Sequence, residues 1–212
     1  MTGSRRYYDA EAADYDESRG GRARARAAAA AVVELVPPGG TLLDVAGGTG
    51  IVSSELSDLG WSVLVLDGSH GMLRVAADRL PGRQLQAVAD RMPVRDGSVD
   101  VVTVVWLLHL LDVPTADRVL AEAARVLRPG GHLVTTVDKS LAHGRVPKRP
   151  SDNRERVDLV ARRLGLGLVG GTSFSGRSDW GSATSGDPVF PVVGYRKLST
   201  AGPIGPVGKA TA

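Results

Sequence analysis

LLDVAGGTG, residues Leu42–Gly50, ends an apolar run on Asp44 and follows it with three glycines in four positions. Glycine at that density lets a backbone turn sharply and lets a ligand come close to it. An apolar strand, a glycine turn and a helix open a strand–helix unit, and the flanking sequence repeats that unit. Upstream, Arg22–Val36 is alanine-rich with one apolar side and stops at PPGG, as a helix does. Downstream, Gly50–Leu59 is helical in character and Trp61–Asp67 is a second strand. A helix near His70–Leu80, a short strand at Leu85–Ala89 and the valine-rich strand Ser98–Trp106 follow. Thr115–Leu127 is a helix closed by RPGG, and His132–Asp138 is a further strand. Asp152 with Glu155 forms a candidate capping box for a helix running to Leu164, and Leu166–Phe174 and Val189–Leu198 are the last strands. Alternation of this kind, with continuous apolar strands, predicts an α/β fold: an open, doubly wound, mostly parallel sheet with helices on both faces.

The 212 residues, 42% of them apolar, suit one domain with a sizeable core. The chain has no cysteine, which excludes disulfides, thiolate metal sites and cysteine nucleophiles, and suits a cytoplasmic setting. No apolar run approaches the ~20 residues needed to cross a bilayer, so no membrane partner is expected. Net charge is +3, with basic clusters at Arg19–Arg26 and Arg145–Arg156. Such clusters mark either solvated helix faces or a phosphate-binding surface. Aromatic residues make up only 4% of the chain, leaving little to stack bases on, so nucleic acid is not the expected partner.

In open α/β sheets a ligand sits beyond the carboxyl ends of the strands, where strand order reverses. The glycine loop would lie there, and two nucleotide classes compete for it. A dinucleotide places a pyrophosphate against the helix N-terminus. The fingerprint G-x-G-x-x-G can be laid on Gly48 and Gly50, but its third position is Ser53, and Asp44 would face the pyrophosphate with like charge. An acid there suits S-adenosylmethionine, which carries a sulfonium and an ammonium and no phosphate. Asp67, closing the second strand, can accept both ribose hydroxyls. Asp90, after the third strand, can accept from an adenine amine, with Met92 packing on the ring. The electrostatics favour S-adenosylmethionine over a nicotinamide dinucleotide. The alternatives are an NAD(P)-dependent oxidoreductase and an RNA-associated protein using Arg19–Arg26.

The segments LLDVAGGTG, VLVLDGSHGML, AVADRMPVRDGSVDVV, WLLHLL and ARVLRPGGHLV, between Leu42 and Val137, resemble the class I S-adenosylmethionine-dependent methyltransferases. The likeness is to the small-molecule type related to ubiquinone and menaquinone methyltransferases. It implies a Rossmann-like sheet of seven strands, the last antiparallel. It also implies that Asp44 and the loop Ala46, Gly47, Gly48 and Gly50 hold the methionine part of the cofactor. Asp67 would bind the ribose with Gly68 beside it, Asp90 and Arg91 would bracket the adenine, and Met72 would lie against the adenosine. Ala46 stands where the family has its first glycine, a change that is tolerated if the backbone there is not left-handed. The segment RRYYDAEAADYDESRGG resembles the family's N-terminal segment, so residues 1–40 read as a lid and first helix. The core then spans 41–198 and a disordered tail 199–212. Tyr7, Tyr8 and Tyr15 would close over cofactor and acceptor.

Methyl transfer needs alignment and dry surroundings, and a base only where the acceptor must lose a proton. His109, in WLLHLLD after the fourth strand, is the candidate base, and Asp138, at the end of the fifth, is a candidate hold on an acceptor amine or hydroxyl. Trp106 would line the cofactor or acceptor cavity. His70 and His143 read as structural, and the four histidines are too scattered for a metal site. The short segments around the mouth point to a small organic acceptor, methylated on oxygen, nitrogen or carbon. The alanine-, arginine- and glycine-rich composition suits a genome in which such enzymes tailor secondary metabolites. The oligomeric state stays open, monomer or homodimer, with Val189–Leu198 as a candidate exposed edge for pairing.

Overall fold

The computed structural model describes residues 2–147, 150–176 and 186–199, with side chains from Tyr7 onward. All but the first residue of the expected tail, and most of the loop before the last strand, lie outside the described residues.

Seven strands form one sheet in the order β3-β2-β1-β4-β5-β7-β6. They are β1 (Thr41–Val45), β2 (Ser62–Asp67), β3 (Gln84–Gln86), β4 (Val99–Val104), β5 (Leu127–Thr136), β6 (Leu166–Ser175) and β7 (Val189–Lys197). Only β7 runs antiparallel to its neighbours β5 and β6, as expected of the last strand. The chain builds outward from β1 through β2 to β3, then crosses back to place β4 on the other side of β1. The reversal leaves a crevice at the carboxyl ends of β1 and β4.

Period-2 alternation sorts the strands' side chains between two cores. Leu42, Val63, Val101, Val134 and Val192 face α3 (Gly21–Leu35) and α4 (Ile51–Asp58). Leu43, Val102, Leu133 and Val193 face α6 (Val113–Val126) and α8 (Arg154–Arg163). Helix α5 (His70–Arg79) covers Val65 through Leu73 and Ala76. Local chemistry fixes the helix ends. Asp112 caps α6 by accepting from the Thr115 amide at 2.8 Å, with Pro114 in the first turn, where a missing N–H costs nothing.

Four sequence expectations need correction. Asp152 does not open α8: its buried carboxylate accepts from the Lys139 amide at 2.8 Å, and Asn153 caps the helix through the Arg156 amide. The third strand stops at Gln86, since Ala87–Ala89 leave the ladder to line a cavity. Strand β5 begins at Leu127, because Leu127 already pairs with Val99 before a register shift. Val189–Lys197 is not an edge, because β7 is paired on both sides and β6 takes the outer position. Among the described residues no helix is long and apolar enough to cross a membrane.

Candidate active site

Two cavities open at the carboxyl ends of β1, β2, β4 and β5. The first, of about 280 Å³, is walled by the glycine loop, the ends of β1 and β2, and residues 87–90. Asp44, Asp67 and Asp90 all line it, and among the described residues no Lys, Arg or His does.

Each acid is held by the fold. Asp44 is 3% exposed, and its two oxygens accept from the Ser53 and Thr103 hydroxyls at 2.5 and 2.7 Å. Burial raises its pKa against those two bonds. Asp67 accepts from the Gly48 amide at 3.0 Å and the Ser69 amide at 2.8 Å, which locks the glycine loop onto the end of β2. Burial again works against these bonds and raises its pKa. Asp90 pairs with Arg118 at 3.1 Å. Gly47 is required by space: a Cβ there would stand 2.8 Å from Val65 Cγ1 and 2.9 Å from Asp44 Oδ2. Met72 is buried behind Gly48, its sulfur 3.9 Å from where a Cβ of residue 48 would be.

Ala46 adopts φ 58°, the left-handed region, so the condition for a cost-free alanine is not met. Trp106 (φ 57°) and Asp138 (φ 50°) share that conformation. These three non-glycine residues follow β1, β4 and β5, so backbone strain of ~1 kcal/mol or more each is concentrated at the mouth.

The N-terminal helices α1 (Thr2–Glu11) and α2 (Tyr15–Ser18) lie over this mouth. Asp9 accepts from the Ser69 hydroxyl at 2.6 Å and the Gly71 amide at 2.8 Å. Asp16 accepts from the Thr49 hydroxyl and from Arg79, both at 2.6 Å. Both aspartates thus pin the segment to the cofactor side. The tyrosine before each, Tyr8 and Tyr15, lines the cavity.

The second cavity, of about 310 Å³, has the opposite character. Arg19, Arg24, His109, Lys139, His143 and Arg145 line it, against one carboxylate among the described residues, that of Asp16. Tyr8, Tyr15, Ile51, Val52, Trp106 and Leu110 line both cavities and form a shared wall. Lys139 Nζ stands 2.9 Å from His109 Nε2. Burial and Lys139 push His109 down to about 3, and burial with Arg24 and Arg19 lowers Lys139 to about 8.

The structure thus gathers Tyr15, Asp44, Ala46, Gly47, Gly48, Asp67, Gly68, Met72, Asp90 and Trp106 around one cavity. It places the other candidates elsewhere. Gly50 is the left-handed residue before α4, where a Cβ would meet Ala76, so it shapes the turn without lining the cavity. Arg91 is exposed. Met92 is buried in the core, its amide donating to Glu122 at 2.7 Å, because the chain dives under the sheet after Asp90. Asp138 lines neither cavity: its left-handed turn aims the carboxylate at the Arg154 amide, 3.2 Å away. His109 faces the second cavity, where its Nε2 stands 2.9 Å from Lys139 Nζ, and burial and the lysine both lower its basicity.

Sequence reasoning missed Arg24 and Lys139. Arg24 carried a signal. At ~100° per helical residue, Arg22 and Arg26 share a face while Arg24 lies roughly 200° from Arg22. The first two pair with Glu55 at the surface, and Arg24 is buried.

Residues 43–135 match the model of the methyltransferase domain. The demethylmenaquinone methyltransferase of Renibacterium salmoninarum is 43% identical over 98 residues, 46% of this chain and 40% of that protein. The ubiquinone/menaquinone biosynthesis C-methyltransferase of Methylobacterium nodulans is 38% identical over 122 residues, 51% of this chain and 48% of that protein. The chain therefore spans less than half the length of these relatives. Among solved structures, a putative methyltransferase of Haloferax volcanii, in complex with the Trm112 activator, superposes with a TM-score of 0.71 at 21% identity. That match covers 92% of this chain and 97% of the other, and it shows a shared fold.

Proposed function

We infer that this chain, whose core belongs to the class I S-adenosylmethionine-dependent methyltransferases related to the quinone methyltransferases, moves a methyl group from that cofactor to a small organic acceptor. One observation carries the reading: three aspartates, at the ends of β1 and β2 and in the turn after β3, share a single cavity that no cation among the described residues lines, next to a second cavity across a wall that holds Tyr8, Tyr15 and Trp106.

The first chamber fits the cofactor by its chemistry. Its glycine loop presents bare backbone at Gly47 and Gly48 to the cavity, and its acids match a ligand bearing positive charge while repelling a diphosphate. In this reading Asp67 binds the ribose hydroxyls and Asp90 the adenine amine, while Asp44 and residues 46–48 hold the methionine end. When bound, S-adenosylmethionine supplies an electrophilic methyl carbon, released as the carbon–sulfur bond breaks with its electron pair left on sulfur. The chain's own work is placement. Tyr8, Tyr15 and Trp106 form the wall across which acceptor and donor meet, and the segment pinned by Asp9 and Asp16 excludes water. The Lys139–His109 pair keeps a proton on the lysine at neutral pH, with the imidazole neutral and accepting, so His109 positions Lys139.

A screen of small acceptors with methyl-labelled S-adenosylmethionine tests the reading. Label should reach an oxygen, nitrogen or carbon of at least one small acceptor, a secondary-metabolite intermediate among the candidates. Absence of both transfer and cofactor binding would refute it. A second reading, methylation of a quinone-type ring carbon, is favoured by the names of the relatives. Transfer confined to a demethylated quinol would select it.

A further inference from the structure

Among the described residues, two cations that line the second chamber, Arg24 and Lys139, have no ion-pair partner. The chamber's one lining carboxylate among the described residues, Asp16, is committed to Thr49 and Arg79. Arg24 is 6% exposed, with its guanidinium carbon 3.9 Å from the Trp106 ring centre and 4.7 Å from that of Phe190. Its Nη1 donates to the Arg19 carbonyl at 2.8 Å, but its buried Nε has no hydrogen-bond partner among the described residues. Trp106 Nε1, a second buried donor lining the chamber, has none either. No carboxylate among the described residues forms an ion pair with Arg24 or Lys139, and the neutral imidazole of His109 brings Lys139 no charge.

Burying a cation such as Arg24 without a counter-ion costs several kcal/mol, so a fold keeps such an arrangement where a ligand supplies the missing charge. The two cations come from different elements: Arg24 from α3, and Lys139 from the short helix α7 (Lys139–Ala142) after β5. Arginine stacked on aromatic rings is preorganised to receive a planar or tetrahedral anion, which its remaining N–H groups can meet at two points. We propose that the acceptor carries an anionic group, a carboxylate or a phosphate, seated between Arg24 and Lys139. The rest of the acceptor reaches the wall of Tyr8, Tyr15 and Trp106. This assignment rests on the methyltransferase reading, since it names the substrate class of that reaction.

The test is calorimetry on the full chain at neutral pH, using benzoate, phenylphosphonate and the neutral benzamide. Each is titrated with and without saturating S-adenosylhomocysteine. At least one anion should bind ten-fold or more tighter than benzamide, and the stronger of the two separates a carboxylate from a phosphate site. Lys139→Met and Arg24→Met should each remove most of that preference while S-adenosylhomocysteine affinity stays within about twofold. Lys139 is only half-buried, so its variant serves if the Arg24 variant does not fold. Benzamide binding as tightly as both anions, absence of anion binding at millimolar concentration, or an unchanged preference in the folded variants would overturn the proposal. Anion preference without S-adenosylhomocysteine binding would instead refute the methyltransferase reading and leave the anion site standing.

Discussion

The two chambers share a wall and carry opposite charge. Among the described residues, three aspartates and no cation line one, whereas three arginines, a lysine and two histidines line the other against a single committed aspartate. The difference separates two jobs. The acidic side suits a cationic donor, the basic side an anionic acceptor, and the aromatic wall between them is where opposite charges would meet. It also separates what similarity covers: the matched methyltransferase domain, residues 43–135, contains all three acids and neither Arg24 nor Lys139.

Asp67→Ala should have the largest effect. It removes a carboxylate able to accept from two hydroxyls, so S-adenosylhomocysteine affinity should fall by ~100-fold or more, while benzoate binding stays within about twofold. Equal losses in both titrations would dissolve the division between the chambers. Next in size is a pH effect on the basic side alone. Lys139, lowered to about 8, loses its proton as pH rises, with Arg24 and Arg19 favouring that loss and Asp152 opposing it. Anion affinity should therefore hold below about 8 and drop by up to ~10-fold above it, whereas cofactor affinity stays flat across that range. A flat anion profile would mean that Lys139 does not bear on the ligand.

A smaller effect is expected from the strained rim. Ala46→Gly relieves a left-handed alanine and should stabilise the chain by ~1 kcal/mol, raising Tm by roughly 2–4 °C without weakening cofactor binding. A lowered Tm would place the strain elsewhere. The smallest belongs to His109→Gln, which keeps an acceptor for Lys139. Turnover should change by less than ~3-fold, where loss of a general base costs ~100-fold or more. A loss of that size would restore His109 as the base.

The acidic chamber was legible because its parts are local in sequence. Each acid ends or follows an apolar strand, and period-2 runs of valine and leucine locate those ends. Met92 and Asp138 show the limit of that logic. Both sit near the expected strand end, but a dive under the sheet turns one into the core and a left-handed turn aims the other at the Arg154 amide. The basic chamber was not legible because its members come from α3, the turn after β4 and the helix after β5, and nothing local joins them. Arg24 was hidden among alternating arginines that read as one cluster, either a solvated face or a phosphate-binding surface. Helical spacing puts it on the opposite side, against Trp106 and Phe190.

Parallel calorimetric titrations of the full chain with S-adenosylmethionine and with NAD test the charge match of the acidic chamber most directly. One-to-one binding of the sulfonium ligand in the micromolar range, with no heat from the dinucleotide at millimolar concentration, is the expected result. Tight binding of NAD, with S-adenosylmethionine silent, would contradict the account at its root.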